Sequence, residues 1–71
     1  MSPYPETAPV EAGESYHFEI EEIGNEGDGI GYVEDFVVIV PNASLGESVD
    51  VEVERVDETF AMASRVDGDV Q

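Results

Sequence analysis

The segment from Gly24 to Pro41, GNEGDGIGYVEDFVVIVP, leaves the chain few folds to choose from. Gly27-Asp28-Gly29 opens a short extended run, Ile30-Gly31-Tyr32-Val33. Two acidic residues, Glu34-Asp35, then separate it from an unbroken apolar run, Phe36-Val37-Val38-Ile39-Val40, which Pro41 stops. Two β-branched, aromatic runs divided by a tight turn read as a hairpin. Five consecutive apolar residues predict a strand buried on both faces, or one whose outer face is capped by a partner. Turn, strand, turn, buried strand and stop, in that order, fit a small closed β-barrel.

The rest of the chain carries the same period. Tyr16, Phe18 and Ile20 alternate with His17, Glu19 and Glu21, which predicts a half-buried first strand. Ile23 breaks the alternation, so a bulge or bend is expected near Glu22. Val49, Val51 and Val53 alternate with Asp50, Glu52 and Glu54, and Phe60 to Val66 supplies a last strand. Asn42 to Glu47 reads as a loop in which Leu45 plugs the barrel and Gly46 turns the chain. Residues 1–12, with Pro3, Pro5 and Pro9, read as a flexible N-terminal tail; 13–66 is the domain and 67–71 an acidic C-terminal tail. Five strands with glycine turns and no helix give an all-β fold, a small barrel of the OB-like or SH3-like kind.

Charge bears on function more than on fold. Among 71 residues, 18 Asp and Glu face two arginines and no lysine, for a net charge of −16. Such acidity commonly signals disorder, but here 41% of residues are hydrophobic and they keep strand period. The acids are spread along every strand rather than gathered in one patch, which points to a surface adapted to molar salt, where the Debye length falls to ~3 Å. There is no cysteine and one histidine, so neither a disulfide nor a zinc site is expected, nor a shaped metal site of any kind. The N-terminus lacks the basic and apolar regions of a signal peptide, and no apolar run approaches the ~20 residues of a membrane helix. These readings predict a cytoplasmic, monomeric protein with no membrane partner.

In unbroken order from Val10 to Val66, the chain holds Gly13-Glu14, Ile20-Glu21-Glu22-Ile23-Gly24, Gly27-Asp28-Gly29-Ile30-Gly31 and Phe36-Val37-Val38-Ile39-Val40-Pro41. Leu45-Gly46-Glu47, Val49-Asp50-Val51 and Phe60-Ala61-Met62-Ala63 complete the set. Together these resemble the TRAM domain, occurring alone rather than fused to a tRNA- or rRNA-modifying enzyme. The resemblance implies a five-stranded OB-like barrel that binds RNA (tRNA, rRNA or mRNA). It also implies an RNA-chaperone role like that of cold-shock proteins, in a halophilic archaeon. The chain departs from the family at Asn25, Tyr32, Ser48, Asp50 and Glu52, which stand where family members are often basic.

Phosphate neutralisation therefore gives way to stacking as the expected source of affinity, at ~1–3 kcal/mol per base. Tyr32 and Phe36 flank the Glu34-Asp35 turn and are expected to lie side by side as a stacking platform, or else to cap the core. Phe60 is a candidate third member. Arg55 and Arg65 either pair with neighbouring carboxylates or contact RNA. His17, on the polar phase of the first strand, is a surface residue or a further stacking group. Gly27, Gly29 and Gly31 do not meet the dinucleotide spacing and read as a turn with positive φ. The acids read as a solvated face, and neither a catalytic pair nor a cofactor motif is present, so no enzyme activity is expected. The competing reading is a protein-interaction module whose OB-like barrel has lost its RNA face and meets a basic partner.

Overall fold

A computed structural model describes residues 9–66. Of the tails expected over 1–12 and 67–71, residues 1–8 and 67–71 lie outside the described residues. The elements are β1 (Ser15–Glu19), β2 (Glu22–Ile23), β3 (Gly29–Val33), β4 (Phe36–Val40), β5 (Ser48–Val56) and β6 (Phe60–Arg65). They form one sheet in the order β1-β5-β6-β4-β3-β2. All pairs are antiparallel except β4 with β6.

β1 and β2 stand at opposite ends of that order, yet only Ile20 and Glu21 separate them. They are two halves of one bent strand. Backbone hydrogen bonding passes from one side to the other at the bend: Ile20 N–H donates to the Glu47 carbonyl at 2.8 Å, and Glu21 N–H donates to the Ile30 carbonyl at 2.8 Å. Counted as one, the bent strand closes a five-stranded OB-like barrel, with its third and fifth strands parallel. The bend expected near Glu22 falls at Ile20-Glu21.

Inward positions follow the alternating phase. Val49, Val51 and Val53 of β5 are buried, as are Ala61 and Ala63 of β6 and Val38 and Val40 of β4. Each valine so buried contributes about 1.5–3 kcal/mol. Val10 is also in this core, at 2% exposure. Tyr16 and Phe18 pack against the core from β1.

Two expectations are corrected. Leu45 does not plug the barrel; it is 64% exposed. Ala43 occupies the inward position of that loop instead, because the loop runs close over Gly29, where only a small side chain fits. The glycine cluster is also not uniformly a turn. Gly27 has φ +90°, but Gly29 and Gly31 are strand residues held to glycine by packing. A Cβ on Gly29 would lie 2.7 Å from the Ala43 Cβ, and one on Gly31 would overlap the Phe18 ring. Glu34 and Asp35 take positive φ, 52° and 73°, as a two-residue hairpin turn that matches strand twist requires.

Candidate functional site

Side-chain parity along β3, β4 and β6 builds the site. Tyr32 is paired with Val37 and Ile30 with Ile39 across β3 and β4. Val37 is paired with Phe60 and Ile39 with Met62 across β4 and β6. Neighbours in register share a face, and the alternate residues Gly29, Gly31, Val38, Val40, Ala61 and Ala63 are the buried set. The outer face therefore carries two rows of three half-buried apolar side chains: Tyr32, Val37, Phe60 and Ile30, Ile39, Met62. Strand spacing sets Tyr32 and Phe60 roughly 10 Å apart, enough to receive two separate bases rather than one sandwiched between them.

The residues expected at the site fall on different parts of the barrel. Tyr32 and Phe60 come together on this outer face. Phe36 does not join them: it is paired with Val33, on the inward phase, and packs against the core. A two-residue turn makes Tyr32 the neighbour of Val37, one position past Phe36, so the expected side-by-side pair does not form. Phe36 takes the core-capping alternative.

Arg55 borders the face, since it pairs with Met62 next to a register shift in β5. Its guanidinium Nε donates to Asp57 Oδ2 at 3.2 Å, with both groups well exposed. An exposed pair of this kind contributes about 0–1 kcal/mol and yields readily to another acceptor. Arg65 continues the inward phase at the end of β6 and meets Glu47 at 2.5 Å, away from the apolar rows. Glu47 is the better held of the two carboxylates. The Ser44 N–H bonds it at 3.0 Å and Arg65 adds a second bond, holding its carboxyl below the ordinary value of 4.5. His17, on β1, bonds Asp50 of β5 through Nδ1 at 2.6 Å, also off the apolar rows.

The opposite flank of the face is acidic. Glu22 of β2 pairs with Ile30, which places it on the outward phase one step from Tyr32. The Tyr32 hydroxyl is shifted above its ordinary value of 10.0, first by desolvation, then by the Glu22 charge and a hydrogen bond to Glu22, and last by Glu21. The Glu22 carboxylate thus lies near enough to the Tyr32 hydroxyl for its charge to favour the protonated phenol. At the far edge, the Ser64 hydroxyl donates to Glu54. Among the described residues, no three His, Asp or Glu side chains are grouped to hold a metal ion. No helix there is long and apolar enough to cross a membrane.

Reading the sequence alone missed Glu22 and the apolar members Ile30, Val37, Ile39 and Met62. The signal was the run from Phe36 to Val40, which holds more apolar residues than one inward face can use.

Comparison with known proteins gives consistent results. The family model described as the TRAM domain matches residues 9–66. An uncharacterized protein of Methanocaldococcus jannaschii is 47% identical over 58 residues, covering 82% of this chain and 75% of that protein. A ribosomal RNA large subunit methyltransferase E from Halorubrum lacusprofundi is 49% identical over 61 residues, which are 86% of this chain and 23% of that enzyme. The chain thus spans about a quarter of the methyltransferase it matches. The solution structure of a conserved protein from Methanococcus maripaludis superposes with a TM-score of 0.83 at 48% identity, covering 90% of this chain and 91% of that one.

Proposed function

Because the chain belongs to the TRAM domain family, an RNA-binding family, we propose that it binds RNA on the outer face of β3, β4 and β6, as a weak, sequence-tolerant RNA chaperone without catalytic activity of its own. The observation that carries this reading is the double apolar row, Tyr32-Val37-Phe60 over Ile30-Ile39-Met62, left half open to solvent on a chain of net charge −16. In an OB-like barrel, the second and third strands, here β3 and β4, carry the oligonucleotide face.

Stacking on Tyr32 and Phe60 supplies affinity that salt does not remove, at ~1–3 kcal/mol per base. Arg55 exchanges Asp57 for a phosphate or a base. Phe36, Arg65 and His17 have no contact in this scheme: Phe36 supports the barrel from inside, Arg65 is engaged with Glu47 and His17 with Asp50. RNA remodelling then follows from holding unpaired bases on the platform, with no nucleotide hydrolysis. A soluble cytoplasmic monomer in a halophilic archaeon is the setting that suits the acidic surface.

The test is an NMR titration in 2 M KCl with a short mixed-sequence RNA. Shifts centred on Tyr32, Val37, Phe60 and Arg55 are expected. A folded spectrum with no shifts would discard the RNA reading in favour of a protein-interaction module on the same barrel. A contact of that kind with a basic partner weakens as salt rises.

A further inference from the structure

We propose that the outer face reads one base chemically, preferring unpaired guanine, and that Glu22 is the residue that reads it. This rests on the RNA-binding role assigned above to the same face. Glu22 projects on the outward phase of β2, in register with Ile30 and one step from Tyr32. Both side chains stand on the outer face of neighbouring strands, which sets the carboxylate diagonally beside the Tyr32 ring, near enough for its charge to act on the hydroxyl. An ionised carboxylate has about four acceptor sites, so most of its capacity remains open. A base stacked on Tyr32 presents its edge toward those oxygens.

The donor and acceptor inventory then selects the base. On its Watson–Crick edge, guanine has two adjacent donors, N1–H and the N2 amino group, which match the two oxygens of one carboxylate. Adenine and cytosine each set an acceptor nitrogen beside their single amino donor. Uracil flanks one N–H with two carbonyl acceptors. The other polar groups described near the face stand too far from Tyr32 to compensate an acceptor-rich base there: Arg55 of β5 lies beside Met62, three strands from β3, and the Ser64 hydroxyl is given to Glu54 at the same far edge. Because the edge is free only when the base is unpaired, the preference is for single-stranded RNA. It is confined to one base step, so the rest of the strand binds without regard to sequence. No phosphate is neutralised in the contact, so the preference persists at molar salt.

The experiment compares three pentanucleotides, UUGUU, UUIUU with inosine at the centre, and UUUUU, by NMR titration in 2 M KCl. UUGUU is expected to bind roughly tenfold more tightly than UUUUU, with inosine, which lacks the amino group, in between. Glu22→Gln should bring the guanine-to-uracil ratio close to one, since an amide offers a donor where guanine needs an acceptor. Tyr32→Phe keeps both the stacking ring and the carboxylate beside it, and should keep the guanine-to-uracil ratio of the wild type. Equal binding of the three RNAs to the wild type, or a ratio unchanged in Glu22→Gln, overturns base reading while leaving RNA binding intact. If none of the three shifts Tyr32 or Phe60, both the inference and the RNA role fall together.

Discussion

Gly31→Ala should destabilise the barrel, and the amount follows from what the new methyl group meets. Gly31 is buried in β3, and a Cβ built there runs into one edge of the Phe18 ring, overlapping Cδ1 and Cε1, with Cγ at 3.3 Å. Ordinary contact begins near 3.4 Å. The ring packs against the core, so it cannot turn away without opening space beneath it. Overpacking by one methyl group costs about 1–3 kcal/mol. The lower chain entropy of alanine returns about 0.5–1 kcal/mol. With two ring carbons overlapped, the cost falls in the upper part of that range, about 2–3 kcal/mol, and a net loss of about 1–2.5 kcal/mol remains. For a domain of this size that lowers Tm by about 4–20 °C, at 4–8 °C per kcal/mol. The assay is thermal unfolding followed by circular dichroism in 2 M KCl, run as a double-mutant cycle with Phe18→Leu. In the leucine background the same Gly31→Ala change should cost at least about 1 kcal/mol less, since the obstructing ring edge is gone. A wild-type Tm for Gly31→Ala, or strictly additive single losses, would show that packing against Phe18 is not what holds position 31 to glycine.

Asp35→Gly should stabilise the hairpin by about 0.5–1 kcal/mol, because it removes a side chain from a left-handed residue; urea titration measures it. Glu47 has a depressed pKa in the fold, so its contribution is present above the unfolded value near 4.5 and lost as pH falls through the lower folded value. Stability measured from pH 6 to pH 3 should therefore fall less steeply in Arg65→Gln than in the wild type. Tyr32 has a raised pKa, so its contribution holds below its unfolded value near 10 and disappears as pH rises through the folded one. A carbon-13 ring titration should show Tyr32 ionising closer to 10 in Glu22→Gln. Raising KCl from 0.1 M to 2 M should raise Tm by on the order of 10 °C as screening removes acid repulsion; a salt-independent melt would exclude acid repulsion as a limit on stability.

The strand phases were legible from the sequence because each is a local pattern. Val49-Val51-Val53 against Asp50-Glu52-Glu54 cannot be placed the other way round without burying three acids. The hairpin was legible too, but its parity was misjudged. Counting outward from Glu34-Asp35 pairs Val33 with Phe36 and Tyr32 with Val37, and that count alone separates the two aromatics. Leu45 misled because size and hydrophobicity argue for burial, whereas room above Gly29 decides it and only Ala43 fits there. The meeting of Val37 with Phe60 was out of reach, since it needs the parallel pairing of β4 with β6. The ion pair of Arg65 with Glu47 likewise spans a connection that only the closed barrel brings together.

The bent first strand has a consequence for synthesis. β1 leaves the ribosome well before its ladder partner β5, and the His17–Asp50 contact spans 33 positions. Its second half waits for a shorter interval, until β3 emerges. The bent strand is thus half engaged while most of the barrel is still unmade. Non-local pairing of this kind folds slowly. During that interval Tyr16 and Phe18 lack their cover, and the acids beside them, Glu19 and the Glu21-Glu22 pair, keep that stretch hydrated until β5 arrives.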